Sequence, residues 1–143
     1  MKRQEKYPDT RTFHFHNQNP YNRFTTDCVV RALSLATGIP YTNVVIDLAK
    51  LQCKSGFDDG DERIYGKYLE SKGFTRFKQP RKYDNTKFSG KEFCNWLYAK
   101  GYDGVVCNIG AHHVTAIMPF ESGYKVCDTW DSSEGCVGIY WAK

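Results

Sequence analysis

The sequence contains no long uninterrupted apolar segment, which excludes a helix of the roughly 20 apolar residues needed to span a bilayer. It also lacks the apolar core of a secretory signal, because its basic start, residues 1–6, is followed by Tyr-Pro-Asp-Thr. We therefore predict a soluble, cytoplasmic protein that does not bind a membrane. Charge of one sign is not in large excess, since the net charge of +4 permits an acidic partner without requiring one.

Closely paired cysteines are also missing, because none of the six cysteines stands in a C-x-x-C motif. In a cytoplasmic protein we expect them to be reduced, and most of them to be buried as small apolar side chains. A zinc site formed by Cys107, Cys127, Cys136 and one of the neighbouring histidines is conceivable, but the spacing matches no common zinc motif. We therefore predict neither a metal nor a cofactor.

Leu, Ile and Val are sparse in this sequence, whereas aromatic residues are abundant, with 10 Tyr, 9 Phe and 3 Trp in 143 residues. Aromatic rings must therefore fill much of the core. The length suffices for one domain and is short for two. Residues 1–24 show no hydrophobic periodicity and are predicted to form an extended N-terminal arm, whereas residues 25–143 are predicted to form a single domain.

Helical patterns come first in this domain and strand patterns follow. Apolar spacing and capping residues predict helices at residues 28–36, 42–53, 62–72 and about 89–100. Short β-type segments separated by Gly, Ser and Pro predict strands at residues 104–109, 112–118, 123–128 and 136–141. This order favours an α+β domain in two layers, in which the N-terminal helices pack on a C-terminal antiparallel sheet.

Cys28 is the one cysteine that this pattern places in the first turn of a helix, directly after the capping residues Thr25, Thr26 and Asp27. The positive end of a helix dipole stabilises a thiolate, which is the nucleophilic form of cysteine. A buried structural cysteine is the alternative interpretation. A nucleophile also requires a base that a third group orients, so the strands must supply both.

His113 and Asp128 meet this requirement on two consecutive predicted strands. Counted from a turn near Glu121, His113 lies eight residues before it and Asp128 seven after it, which makes them near-opposite neighbours in an antiparallel hairpin. Because successive strand residues point to opposite faces, only one of His112 and His113 can meet Cys28. We favour His113 as the base and keep His112 as the alternative.

These residues carry a resemblance to the papain-like cysteine peptidase superfamily. Its nucleophilic Cys opens the central helix, its His lies on a strand, and an Asn or Asp followed by Ser-Trp comes on the next strand. Here Cys28, His113 and Asp128-Thr129-Trp130 hold those places, and the chain is similar to small bacterial or phage members of the superfamily. The similarity covers residues of about 19–53 and 104–142, and Val29 departs from the family's aromatic after the Cys.

The resemblance implies an α+β papain-like fold and a cysteine hydrolase that cleaves a peptide or isopeptide bond. It implies a triad of Cys28, His113 and Asp128, in which Trp130 shields the His–Asp hydrogen bond from water. The family places an amide six residues before the Cys, and Asn22 in that position is implied as the oxyanion donor beside the Cys28 N–H. A catalytically silent papain-like binding protein is one alternative.

Residues 72–91 support a second alternative, a nucleic-acid-binding protein. This stretch contains seven Lys or Arg residues and one acidic residue, and four aromatic residues alternate with its basic ones. Positive charge follows phosphates and aromatic faces stack on bases, so residues such as Arg76, Lys78, Arg81 and Lys82 are candidate contacts with nucleic acid or another acidic partner. The structural alternative is a solvated basic loop that its aromatic residues anchor to the core.

Overall fold

The computed structural model describes residues 1–143, which form five helices and a six-stranded mixed sheet. The helices are α1 (Arg3–Lys6), α2 (Cys28–Thr37), α3 (Tyr41–Ser55), α4 (Glu62–Ser71) and α5 (Gly90–Leu97). The strands are β1 (Phe13–Phe15), β2 (Thr75–Phe77), β3 (Val105–Ile109), β4 (His113–Phe120), β5 (Gly123–Asp128) and β6 (Val137–Ala142). The predicted α+β class is therefore confirmed.

The strand order is β1-β5-β4-β3-β6-β2. Four of the five strand pairs are antiparallel, but β1 runs parallel to β5, so the sheet is mixed where the sequence predicted an antiparallel one. No single helix has the length and apolar composition needed to cross a membrane. α2 and α3 have this length and composition only when they are taken together, and the two helices are bent by 116° at the break between them.

Local sequence rules account for the ends of the predicted helices. Gly38 ends α2 in the left-handed conformation with a φ of 76°, which a residue without a Cβ adopts at little cost. Ser89 begins α5 through a capping box, in which its side chain accepts from the Glu92 N–H and the Glu92 carboxylate accepts from the Ser89 N–H. The four longer helices and the four C-terminal strands are thus confirmed within a few residues.

Residues 1–24 were predicted to form an extended arm, but part of this arm belongs to the sheet. Phe13 is fully buried, and β1 pairs with the end of β5 in the register Phe15 to Asp128. Likewise β2 lies within the basic stretch, residues 72–91, and pairs with β6 at the other edge of the sheet. Both strands have three residues, too few for an alternating pattern to be recognised in the sequence.

Helices cover both faces of the sheet, so the domain has three layers and not the predicted two. Side chains of α2, α3 and α4 form one apolar core with Val106, Ala116 and Trp141. Phe93 and Leu97 of α5 form a second core with Val105 and other residues of the opposite face. Since Val105 and Val106 are adjacent on β3, the two cores lie on opposite sides of the sheet.

Candidate active site

The ends of three elements meet at the candidate site. α2 begins at Cys28, β4 begins at His113 and β5 ends at Asp128. β4 and β5 are antiparallel neighbours, so the start of one lies beside the end of the other. α2 packs against β4, and this contact brings the first turn of the helix to the same end of the sheet. The fold therefore joins the three residues that the sequence predicted as a triad.

The hairpin register differs from the one predicted. Phe120 pairs with Gly123 across a turn formed by Glu121 and Ser122. Continued along the strands, this register puts Thr115 opposite Asp128, and His113 two residues farther along, on the diagonal. Long side chains still interact across such diagonal positions. Thr115 contacts Asp128 directly, since its hydroxyl donates a hydrogen bond to Asp128 Oδ2 over 2.7 Å.

His113 is held on one side by a buried carboxylate. Its Nε2 lies 2.6 Å from Oδ2 of Asp128, whose side chain is 2% exposed. Burial opposes the charged imidazolium, but hydrogen bonds and charge interactions with Asp128 and Cys28 outweigh it and raise the pKa of His113 to about 9. The Trp130 ring packs against the imidazole, with ring centroids 4.8 Å apart. Since Asp128 occupies Nε2, the other ring nitrogen is left for the thiol.

The Cys28 thiol is activated by its surroundings. Burial raises the pKa of the thiol, but the His113 hydrogen bond, the Val114 backbone N–H and the positive charges of His113 and Arg31 bring it below its ordinary value. By contrast, burial raises the pKa of the Cys94 and Cys127 thiols to about 12. The surroundings therefore favour the thiolate of Cys28 and disfavour the thiolates of these two interior cysteines.

Arg31 is a site residue that the sequence analysis missed. One turn after Cys28, its guanidinium donates to Asp128 Oδ1 over 2.7 Å and to Asp27 Oδ1 over 2.8 Å. Its side chain is 9% exposed. The available signal was a single arginine inside the apolar run Val29–Leu35, four residues after an aspartate on the same helical face.

The sequence suggested Asp27 as a capping residue of α2, but its side chain forms no capping hydrogen bond. Its carboxylate instead accepts from Arg31, from the Tyr41 hydroxyl over 2.6 Å and from the Asn19 side-chain amide over 3.0 Å. These bonds and the charge of Arg31 outweigh burial and lower the pKa of Asp27. The result is a continuous chain of hydrogen bonds from Tyr41 through Asp27, Arg31 and Asp128 to His113, buried at Arg31 and Asp128 and partly exposed elsewhere.

An open cleft of about 440 Å³ leads to the thiol, and we call it the Cys28 cleft. Its walls include Arg3 and Phe24 from the N-terminal arm and Thr129 and Trp130 from the segment after β5. The arm therefore contributes both to the sheet and to the entrance of the site. The cleft gives a substrate access to Cys28 and His113 together.

Asn22 and His112 do not occupy the positions that their predicted roles require. Asn22 is exposed, has a φ of 55°, donates its backbone N–H to Asn19, and is not among the residues that line the Cys28 cleft. The structure thus does not bring the predicted oxyanion amide to the thiol. His112 lines the cleft but is exposed in the β3–β4 turn, while His113 makes the contact with Asp128.

The alternative zinc ligands are not brought together. Cys107 is buried in β3, Cys127 is buried in β5 and Cys136 is exposed. No group of three or more His, Cys, Asp or Glu side chains has a geometry that could hold a metal ion. All six cysteines are free thiols.

The basic stretch, residues 72–91, does not form an aromatic stacking surface. Phe74 and Phe88 are buried, and Phe77 stacks on Tyr140 with ring centroids 4.9 Å apart. Tyr83 is the one aromatic of this stretch that is fully exposed. Two of the predicted contacts are engaged in ion pairs, Arg76 with Glu62 at 2.8 Å and Lys82 with Glu92 at 2.5 Å, while Lys78 and Arg81 are exposed. Most of the aromatic residues anchor the stretch, as its structural interpretation required.

Comparison with known proteins identifies no relative. No protein-family model, no curated protein and no solved structure matches this chain. The function must therefore be argued from the geometry of the Cys28 cleft.

Proposed function

We propose that this protein is a cysteine hydrolase of the papain-like type, which cleaves a peptide or isopeptide bond. One observation carries the proposal: the Cys28 thiol, in the first turn of α2, lies beside His113, whose Nε2 is 2.6 Å from the buried Asp128. A nucleophile, a base and a group that orients the base constitute the unit required for covalent acyl transfer.

The chemistry follows from the positions of these groups. His113 takes the proton of Cys28, and the thiolate attacks the carbonyl carbon of the amide. The tetrahedral intermediate collapses, the C–N bond breaks, and His113 gives its proton to the leaving amine. His113 then takes a proton from water, whose oxygen attacks the thioester, and the carboxylic acid leaves as the thiol is restored. Asp128 keeps the imidazole in one orientation throughout and stays ionised.

The oxyanion that forms on the carbonyl is assigned to the backbone. The N–H of Cys28 is one of the first amides of α2, and these have no acceptor within the helix. Such a donor, held beside the nucleophile, contributes about 3–4 kcal/mol to stabilisation of the transition state. Asn22 is not assigned this role.

The papain-like assignment is supported by the order of the site along the chain. The nucleophile is at the start of a helix, the base is on a later strand and its partner is on the next strand. Trp130 packs on the imidazole, where it limits the access of water to the His113–Asp128 bond. Six free thiols suit a reducing compartment, so we place the activity in the cytoplasm, with a protein or peptide as substrate and no cofactor.

The test is the rate at which iodoacetamide alkylates each cysteine between about pH 4 and pH 9, read by mass spectrometry. We expect Cys28 to react fast below pH 7 and the exposed Cys53 to serve as the internal reference for an ordinary thiol. His113→Ala should abolish the fast reaction, and His112→Ala should retain it.

Two results would change the proposal. Loss of the fast reaction in His112→Ala alone would retain the enzyme and move the base to His112. A Cys28 that reacts no faster than Cys53 would remove the nucleophile, and the catalytically silent binding protein would then be the better account of this fold.

A further inference from the structure

The Cys28 cleft is lined by groups of one charge type. Besides the thiol, the titratable residues on its walls are two arginines and two histidines: Arg3, Arg31, His112 and His113. No carboxylate lines the cleft. Asp27, which precedes Cys28, and Asp128, which contacts His113, are engaged with Arg31 and His113. A substrate that enters therefore meets an environment that favours negative charge.

The two arginines are not equivalent. Arg31 is almost fully buried, and its charge is compensated by the two aspartates that it bridges. Arg3 is exposed and forms no ion pair with any carboxylate of the chain, so its charge is available to a ligand. Its guanidinium also keeps both terminal nitrogens free, because its one hydrogen bond uses Nε.

Arg3 is nevertheless fixed in place at the edge of the cleft. Its Nε donates to the carbonyl oxygen of Thr129 over 2.6 Å, and its guanidinium lies 5.1 Å from the centroid of the Phe24 ring. A backbone anchor and a cation–π contact reduce the entropy that the side chain loses when it binds a ligand. Thr129 directly follows Asp128, which ties the position of Arg3 to the triad.

From this placement we propose that the substrates of the Cys28 cleft carry a carboxylate close to the scissile carbonyl, and that Arg3 is the residue that selects them. The carboxylate belongs either to an acidic side chain or to a free C-terminus, since a guanidinium binds both through the same pair of N–H donors. Phe24, which is 51% exposed, and Trp130 provide apolar walls for the rest of the substrate. This inference rests on the proposed function.

Two alkylating probes of nearly equal size test the inference without a known substrate. Iodoacetate carries a carboxylate beside the reacting carbon, and iodoacetamide carries a neutral amide there. We expect the iodoacetate to iodoacetamide rate ratio at Cys28 to exceed the ratio at Cys53, and to fall as ionic strength rises. In Arg3→Gln the Cys28 ratio should fall by about two- to fivefold, an effect typical of one exposed charge contact.

A matched control separates Arg3 from general charge. Arg23→Gln removes the same charge from an exposed residue of the same arm that does not line the cleft, and it should leave the ratio unchanged. The rate with iodoacetamide should stay within about twofold of the native rate in Arg23→Gln, and the ratio of the two probes in Arg3→Gln corrects for any general change in the reactivity of the thiol.

The outcomes distinguish this inference from the proposed function. If Cys28 reacts slowly with iodoacetamide, the proposed function fails. If it reacts fast but the ratio is the same in the native protein and in Arg3→Gln, the hydrolase remains and the selection of carboxylates by Arg3 is overturned.

Peptides that compete for Cys28 separate the two sources of the carboxylate. One pair differs by Glu or Gln at one position, and the other pair by a C-terminal acid or amide. Stronger protection of Cys28 from iodoacetamide by the Glu peptide identifies an acidic side chain as the recognised group. Stronger protection by the C-terminal acid identifies a chain terminus. Equal protection by the members of both pairs contradicts the inference.

Discussion

At the scale of single residues, the site depends on one buried arginine as much as on the triad. Arg31 bridges Asp27 and Asp128 at distances of 2.8 Å and 2.7 Å, and its charge helps to lower the pKa of Cys28. Without Arg31, Asp27 would keep only the neutral donors Tyr41 and Asn19, and Asp128 would lose one of its two charged partners. Such a loss is costly for a carboxylate that is shielded from water. Arg31 is thus a positioning residue, which acts on the reaction through Asp128 and Cys28.

The variant Arg31→Gln tests this role. We expect the rising limb of the Cys28 alkylation profile to move to higher pH, because a positive charge beside the thiolate is lost. We also expect the free energy of unfolding to fall by about 3–5 kcal/mol, since two buried carboxylates lose their partner. The measurements are iodoacetamide kinetics against pH and urea unfolding.

Arg31→Lys is the matched control, because it keeps the charge but loses the planar fork that bridges two carboxylates. Its alkylation profile should stay near that of the native protein even where its stability is reduced. An unchanged rising limb in Arg31→Gln would contradict an electrostatic role of Arg31.

Asp128 should control the protonation of His113. Its charge and hydrogen bond help to raise the pKa of His113 to about 9, so Asp128→Asn should lower that pKa towards its ordinary value, by about one to three units. The imidazolium of the variant would then be lost at a lower pH than in the native protein. The measurement is NMR titration of the His113 ring.

Asp131→Asn provides the comparison for Asp128→Asn. It makes the same chemical change three residues away, where the carboxylate bonds to the Ser133 N–H and not to His113. The His113 titration should match that of the native protein in Asp131→Asn. An equal shift in both variants would mean that long-range charge, and not the 2.6 Å contact with Asp128, sets the protonation of His113.

At the scale of elements, the N-terminal arm is part of the domain. β5 ends in Asp128, and β1 pairs with the outer edge of this strand. β1 therefore protects the strand that carries a triad residue. Such an edge would otherwise present unpaired backbone groups. Phe13 anchors β1 because its ring is fully buried in the core on the α5 side of the sheet.

Phe13→Ala should therefore lower the free energy of unfolding by about 3–5 kcal/mol, the usual cost of removing a buried aromatic side chain. Tyr21→Ala, in the same arm at 73% exposure, should change it by less than about 0.5 kcal/mol. Urea unfolding of both variants measures the difference. A small effect of Phe13→Ala would mean that the arm is a loosely attached extension of the domain.

At the scale of the whole molecule, the buried charges of the site link stability to pH. Burial raises the pKa of Asp27 and Asp128, but their hydrogen bonds and the nearby positive charges outweigh it and lower both values below 3.8. A carboxylate with a lowered pKa in the folded state stabilises the protein above its unfolded value, about 3.8, and loses this contribution as the pH falls through the folded value.

We therefore expect the free energy of unfolding to decrease steeply below about pH 3.8, where these carboxylates become protonated beside Arg31. Asp128→Asn should be less stable than the native protein at pH 7 and should lose less stability on acidification. Asp59→Asn, in the exposed loop before α4, should follow the native curve. Parallel curves for the native protein and Asp128→Asn would show that Asp128 does not contribute to acid sensitivity.

The sequence by itself determined the parts of the protein that local rules govern. Apolar spacing, capping residues and glycines after the helix ends predicted the longer helices, and turn residues predicted the hairpin that brings His113 and Asp128 together. Cys28 was identified because a helix start can be recognised from the few residues around it.

Only the tertiary structure decided the features that depend on contacts between distant segments. β1 and β2 are too short to be recognised alone and exist because neighbouring strands pair with them. Arg31 reaches a carboxylate 97 residues away, which no local pattern encodes. Both Asn22 and Arg3 belong to the N-terminal arm, but only Arg3 lines the Cys28 cleft, where it bonds to Thr129. Periodicity along a chain specifies elements, but the partners of a side chain depend on how those elements pack.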